Sequence, residues 1–531
     1  MSHAFRPAAW AGVMKTLAGT LLAACVLAAA PVLAGTQLAT AQLHAELPGP
    51  LIPRYIYGQF SEHLGRGIYD GIWVGEQSAI PNVRGIRSDV VQALRELKVP
   101  LIRWPGGCFA DDYNWRDGIG PRDQRPGRKN NWWTGKHESN QFGTHEFMDF
   151  AEQVGADAYI GLNLGSAPAR EMRDWMEYMT SDGDNALANE RRRNGRAQPF
   201  KVPVVGIGNE SWGCGGTMRA EFYADEYRRF QTFFHNNGQA APAAVRVASG
   251  ANKDDYAWTD VVMKQAGAKM DALSLHYYTM PPDEWKNKGK ATGFSKEEWV
   301  TIFAAALRID EIIGKHAAVM DKYDPQKRVG LYVDEWGTWY KTDSGEFDWD
   351  LYQQNTLRDG VVAAAHFNIF HRHTDRVRQT SIAQTMNVLQ AMILTDGAKM
   401  VLTPTYYAFK MYVPFQDATA LPLDVASPSY RIGAMAIPSI NASAARGKDG
   451  KTYIGIANMN PDDRVQLSVS LGTLAVTKVS GQVLTAPRMD QFNEFGKAPA
   501  VSAQPFKGAT LAGATLTLDL PAKSVVVVSL E

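Results

Sequence analysis

Two stretches decide the fold: Val204-Val-Gly-Ile-Gly-Asn-Glu-Ser-Trp-Gly213 and Gly330-Leu-Tyr-Val-Asp-Glu-Trp-Gly-Thr-Trp339. Each is a short apolar run that stops at a polar, acidic end, the pattern of a buried strand delivering a carboxylate to its C-terminal tip. Similar runs occur before, between and after them, at Tyr55 to Phe60, Leu101 to Trp104, Ala158 to Asn163, Val245 to Ser249, Ala272 to His276 and Gln379 to Ala383. With Val204 to Gly208 and Val329 to Val333 they make eight candidate strands, each followed by room for a helix. Alternating strands and helices over about 330 residues predict a (β/α)₈ barrel. No Gly-x-Gly-x-x-Gly follows the first strand, which argues against an open dinucleotide-binding sheet.

Beyond about Leu421 the text changes to Ala, Gly, Ser, Thr and Val, and all fourteen Trp lie at or before Trp349. Alternating runs at Thr452 to Asn458, Val465 to Leu471, Thr515 to Leu520 and Ser524 to Leu530, parted by turn residues, predict a C-terminal β-sandwich of jelly-roll type. At the other end Arg6 and Lys15 precede an apolar run from Leu17 to Leu33, and no acidic residue occurs before Glu46. This reads as a signal peptide over residues 1–34 with cleavage after Ala34, and hence as an exported, periplasmic or extracellular protein. Leu22-Ala23-Ala24-Cys25 offers the alternative of a lipid-anchored Cys25.

The 531 residues carry 55 Lys and Arg against 55 Asp and Glu, which gives no electrostatic case for a nucleic-acid partner. No later stretch is long and apolar enough for a membrane span. Three cysteines cannot staple a chain of this size, and no Cys-x-x-Cys suggests zinc. Cys108 and Cys214 each follow a strand end, and sequence does not decide whether they pair.

Chemistry in such a barrel sits at the C-terminal strand ends. There Glu210 closes the fourth strand and Glu335 the seventh, so the two can face each other over a pocket. Hydrolysis of a glycosidic bond needs such a pair: one carboxyl protonates the leaving oxygen, the other attacks the anomeric carbon or activates water, and a gap of roughly 5 to 5.5 Å permits direct attack with retention. Taken singly, each Glu also reads as a solvated strand-end charge. Arg103 after the second strand would hold Glu335 ionised, and Tyr278 and His276 after the sixth would orient groups in the pocket. Glu62 after the first strand is a candidate for bridging sugar hydroxyls. Trp115, Trp132 and Trp133 offer aromatic faces for stacking on a sugar or for packing.

The motifs GQFSEHLGRGIYDGIW, IRWPGGCFADDYNWRDGIGPRDQR, FGTHEFMDF, GIGNESWGCGG, LHYYT, VDEWGTWY and SIAQTMNVLQAMI, in that order, resemble the α-L-arabinofuranosidases of glycoside hydrolase family 51. The resemblance runs from near Ile56 into the C-terminal domain. It implies a segment 35–52 that joins the β-sandwich, a catalytic barrel over 53–417 and a sandwich over 418–531. It implies release of terminal arabinofuranosyl units from arabinose-containing oligo- or polysaccharides with retention, without cofactor or metal, in a chain that assembles as a homo-oligomer. Carried over residue by residue, Glu210 resembles the acid/base and Glu335 the nucleophile. Glu62, Asn209, Tyr278 and Gln384 resemble substrate-binding positions, Cys108 stands where the family has Asn or Cys beside the sugar, and Arg103 and His276 resemble supporting positions.

Three rival readings remain at this stage. A metal hydrolase is suggested by His366, His371 and His373, but no His-Glu-x-x-His is present and their spacing fits a helix. A β-xylosidase or endoglucanase of similar layout shares the glutamate pair. A non-catalytic carbohydrate-binding protein would keep the aromatic contacts without needing two rim glutamates.

Overall fold

The computed structural model describes residues 36–133, 137–235, 237–238, 243–282, 287–342 and 350–531. The expected leader and Cys25 lie outside the described residues.

Eight parallel strands close into a barrel: Gly58–Phe60, Leu101–Trp104, Asp157–Leu162, Val204–Ile207, Val245–Asn252, Ala272–Thr279, Gly330–Thr338 and Val377–Ala383. Closure is made by Ser381, Ile382 and Ala383 pairing with Gly58, Gln59 and Phe60. The first strand is shorter than its apolar text predicts. Arg54–Tyr57 form a 3₁₀ turn behind Pro53, whose carbonyl accepts from the Ile56 amide at 3.0 Å, so only the last three residues join the ladder. Apolar alternation cannot distinguish that turn from a strand.

The strands bury both faces. One side supplies Ile102, Ile160, Val205 and Ile207 to the layer beneath the helices, and the other fills the barrel interior with Leu101, Tyr159, Val204 and Val247. Helices start where capping chemistry allows: at Lys296–Asp321 the Ser295 hydroxyl accepts from the Glu298 amide, and the Glu298 carboxylate accepts from the Ser295 amide. Leu357–Arg372 is buried along almost its whole length because it packs between the barrel and the C-terminal strands. That helix disposes of the three histidines: His366 reaches the Ala306 carbonyl, His371 lies between Tyr57 and Ser443, and His373 pairs with Asp310. Their partners are separate, and burial lowers His366 to about 4 and His371 to about 3, leaving them neutral core residues rather than a ligand set.

The C-terminal domain stacks two sheets. The five-stranded sheet runs Leu423–Ala426, Thr36–Leu43, Arg464–Ser470, Thr515–Leu520 and Ala509–Ala512. The six-stranded sheet runs Thr419–Leu421, Ile440–Arg446, Thr452–Asn458, Ser524–Leu530, Val479–Leu484 and Gln504–Pro505. Alternate residues such as Val465, Leu467 and Val469 meet Ile454, Ile456, Val526 and Val528 in the core between them. The N-terminal strand enters parallel to Arg464–Ser470, with Thr36 opposite Arg464, so the chain begins its described course inside this domain.

Candidate active site

The C-terminal ends of the barrel strands converge on a pocket lined by Glu62, Cys108, Glu210, Tyr278, Glu335 and Gln384, with Trp133, Trp339 and Leu351 among its walls. Strand register builds it: His276 lies opposite Glu335 on the neighbouring strand, and Arg103 lies opposite Phe60 on one side and Tyr159 on the other.

Glu335 is buried, and both of its oxygens accept hydrogen bonds: Oε1 from Arg103 Nη1 at 2.8 Å and Oε2 from the Tyr278 hydroxyl at 2.9 Å. Arg103 is itself buried, and both of its terminal nitrogens donate hydrogen bonds. Its Nη2 donates to Asn209 Oδ1 at 2.6 Å, its Nη1 also reaches the Asp334 carbonyl, and its plane lies over the Phe60 ring at 4.6 Å. Burial works against its charge, but Asp334 and Glu335 outweigh that and hold it a permanent cation.

Glu210 is half-buried and adopts φ 41°, a left-handed conformation that costs a non-glycine residue about 1 kcal/mol or more. Its neighbours fix it there: the Asn209 amide donates to Asp111 Oδ2 at 2.7 Å and the Ser211 amide to Ser249 Oγ at 3.2 Å. Burial pushes the Glu210 carboxyl up from the usual carboxylate range. Its Oε1 lies 2.8 Å from His276 Nδ1. Oxygens of Glu210 and Glu335 and a nitrogen of His276 all lie within 4.8 Å of one another.

His276 also pairs with Asp334 at 3.3 Å through its other nitrogen. Burial lowers its proton affinity, but Glu335, Asp334 and Glu210 together raise it to about 10. The folded protein therefore binds this proton more tightly than the unfolded chain, and the resulting stability is full below about pH 6.5 and is lost as pH rises towards about 10. In urea titrations across that range, unfolding free energy should fall with pH less steeply in His276→Gln than in the wild type. Equal slopes would contradict the protonated bridge.

Glu62 closes the opposite side. Its Oε1 accepts from the Gly107 and Phe109 amides at 3.0 and 3.1 Å and from Trp133 Nε1 at 2.9 Å, and its Oε2 from Gln384 Nε2 at 3.2 Å. Burial, reinforced by Glu335, pushes it up to about 7. The Gly106-Gly107 pair lets Glu62 and Glu335 pack directly against this loop: a Cβ at Gly106 would stand 2.6 Å from Glu62 Cγ, and one at Gly107 2.8 Å from Glu335 Oε1.

Cys108 and Cys214 form a disulfide, with Cα atoms 5.4 Å apart, that walls the pocket beside Glu210. Glu62, Arg103, Cys108, Asn209, Glu210, His276, Tyr278, Glu335 and Gln384 thus meet in one place, and the tryptophans divide. Trp133 enters the pocket and Trp132 stays outside it, while Trp115 is buried against Trp175 with its Nε1 on Glu171 and offers no face to a sugar. Sequence reading missed Asp334 and Asp111. Asp334 accepts from the Tyr159 hydroxyl at 2.7 Å and holds Arg103 and His276 between its charge and Glu335. Asp111 is buried, accepts from the Leu164, Gly165 and Asn209 amides, and is pushed up to about 7 by burial. Asp334 had a visible signal, a charge at the end of an apolar strand beside Glu335. Asp111 had none.

Two close carboxylates at the strand ends of a barrel, one in a cationic, hydrogen-bonded setting and one raised by burial, define a glycoside hydrolase. Comparisons with known proteins narrow that class. Residues 93–295 match the α-L-arabinofuranosidase 1 domain and residues 334–524 the α-L-arabinofuranosidase C-terminal domain. The chain is 46% identical over 513 residues, 96% of its length and 99% of the relative's, to an intracellular exo-α-L-arabinofuranosidase of Bacteroides ovatus. It superposes with a TM-score of 0.91 on the family 51 arabinofuranosidase of Xanthomonas axonopodis pv. citri, at 50% identity over 93% of this chain and 100% of that one. The arabinose complex of the Thermotoga maritima α-L-arabinofuranosidase gives a TM-score of 0.79 at 28% identity, covering 93% of this chain and 99% of that one. The chain belongs to the glycoside hydrolase family 51 α-L-arabinofuranosidases and is a glycosidase acting on arabinose-containing glycans.

The expectation of an exported, periplasmic or extracellular protein, with a signal peptide or a lipid-anchored Cys25, is corrected by the same comparison. The Bacteroides ovatus relative, matched over nearly its whole length, is named as intracellular. A charged, apolar N-terminal text of this kind is a compositional signal, which short basic-apolar stretches also produce by chance. Among the described residues no helix is long and apolar enough to cross a membrane.

Proposed function

We propose that the enzyme releases terminal non-reducing α-L-arabinofuranosyl residues by double displacement. Glu335 attacks the anomeric carbon as the bond to the leaving oxygen breaks, while Glu210 gives that oxygen its proton. Glu210, now a carboxylate, then takes a proton from water, whose oxygen displaces Glu335 and restores the starting configuration. The observation that carries this reading is the placement of Glu210 and Glu335 oxygens within 4.8 Å, too close for a water to work between them, in surroundings of opposite character. Arg103 and Tyr278 hold the Glu335 carboxylate with both oxygens engaged, which aims it along one direction. His276 holds Glu210.

Glu62, Tyr278 and Gln384 line the pocket with hydrogen-bonding groups for a single sugar, with Cys108 at its edge and Asn209, held by Arg103, beside them. Such a site penalises a ring that leaves those groups unpaired, and that selects a terminal sugar over an internal chain segment. No step of this route calls for a metal, so a chelator should leave the rate unchanged.

Proton NMR during hydrolysis of a nitrophenyl α-L-arabinofuranoside should show the α-furanose first, before mutarotation. The β anomer appearing first would overturn double displacement. Negligible hydrolysis of that compound beside brisk cleavage of a β-xyloside or internal glucan bonds would overturn the arabinofuranosyl assignment.

A further inference from the structure

We infer that Cys108, Cys214 and Glu210 form a binding site for a soft divalent cation, zinc above all, that exists only when the disulfide is reduced and that shuts the enzyme off by taking Glu210 Oε2. The binding rests on side-chain geometry, and the shut-off rests on the two-glutamate reading.

The three ligands are already gathered. Cys214 Sγ lies 3.5 Å and Cys108 Sγ 3.9 Å from Glu210 Oε2. Around a tetrahedral zinc ion, with bonds of about 2.3 Å to sulfur and about 2.0 Å to oxygen, a sulfur and an oxygen stand about 3.5 Å apart and two sulfurs about 3.8 Å. The sulfur–oxygen edges are therefore close to what zinc needs, and the covalent bond between the sulfurs is what keeps it out. With Cα atoms 5.4 Å apart, rotating one cysteine side chain separates the thiols without moving the backbone. Two thiolates and a carboxylate select zinc over magnesium or calcium, and the fourth position falls to water.

Local structure holds this set. Glu210 and Cys214 share one turn, closed by the Gly213 and Gly215 amides, which donate to the Glu210 carbonyl at 2.7 and 3.1 Å. His276 Nδ1 binds Glu210 Oε1 at 2.8 Å and leaves Oε2 facing the sulfurs, while Asn209 Nδ2 donates to Cys214 Sγ at 3.9 Å. Outer contacts of this kind orient ligands around an ion. All three ligands are half-buried, and Cys214 borders a cavity of about 240 Å³ that gives a reductant and the ion a way in. Two thiols of a reductant, or one phosphine and one water, supply two electrons and two protons to the sulfurs and leave as a disulfide or a phosphine oxide. Zinc then displaces both thiol protons. With Oε1 on His276, Oε2 is the oxygen that carries the catalytic proton, so a cation there blocks both half-reactions. The site is inhibitory, and turnover itself still calls for no metal.

The test uses Cys25→Ser enzyme, reduced with a phosphine and desalted, beside the same enzyme left bridged. Cobalt(II), a spectroscopic substitute for zinc, should give a thiolate-to-metal absorption band with the reduced enzyme at one ion per chain, and zinc should erase it. Zinc should slow hydrolysis of nitrophenyl α-L-arabinofuranoside by the reduced enzyme about 10²-fold. A chelator should restore that rate, and zinc should leave the bridged enzyme unchanged. Cys214→Ser should lose the band, and Glu210→Gln should keep it with affinity lowered about tenfold, about 1.4 kcal/mol. No band with the reduced enzyme, or equal inhibition of both forms by zinc, would overturn the site. A band with turnover unchanged would instead overturn the acid/base role of Glu210 on which the shut-off rests.

Discussion

Replacing Glu335 by alanine is expected to lower kcat/KM by about 10⁴-fold or more on every arabinofuranoside, whatever its leaving group. At about 1.4 kcal/mol per tenfold, that is on the order of 5.5 kcal/mol of transition-state stabilisation. The size follows from what is lost: without this carboxylate no glycosyl-enzyme bond can form, and an activated leaving group does not repair that. The variant should still fold, because Arg103 keeps the Asp334 carbonyl and Asn209 as partners and Asp334 still lies beside it. Comparable loss on poor and good leaving groups, with circular dichroism unchanged, is the expected pattern. A variant that retains brisk turnover of nitrophenyl arabinofuranoside would exclude Glu335 as nucleophile.

Glu210→Ala should behave differently because it removes proton transfer from both half-reactions. On a sugar leaving group, which needs a proton, loss of the acid should cost about 10²- to 10⁴-fold. On nitrophenol, which leaves as a stable anion, the first step should survive and the second become limiting. Burst release of nitrophenol followed by slow turnover is therefore expected. Azide, a nucleophile that needs no base, should restore turnover and give a glycosyl azide of retained configuration. A glycosyl azide of retained configuration from Glu335→Ala instead, with no rescue of Glu210→Ala, would exchange the two roles.

The barrel was legible because its strands end where apolar text meets Asn-Glu, Asp-Glu and His-Tyr-Tyr. A buried run that stops at polar residues has few other places to be. The sandwich was legible from period-two runs, and Thr452–Asn458, Thr515–Leu520 and Ser524–Leu530 keep the bounds that alternation gave them. What sequence could not supply was partnership. Nothing in the text of Cys108 and Cys214 says that their Cα atoms stand 5.4 Å apart, and nothing near Asp111 announces three backbone donors closing on one carboxylate. Those facts depend on loops after different strands meeting in space. Trp115 shows the converse error: an aromatic residue in a polar stretch reads as exposed, yet the chain folds it against Trp175.

The account turns on which carboxylate bonds to sugar, and trapping the intermediate tests it most directly. Glu210→Ala mixed with nitrophenyl α-L-arabinofuranoside should gain the mass of one anhydropentose. Protease digestion should then place it on the peptide carrying Val333-Asp334-Glu335-Trp336, with the bond at Glu335. A label on any other residue, or burst release of nitrophenol with no labelled protein, would contradict the mechanism.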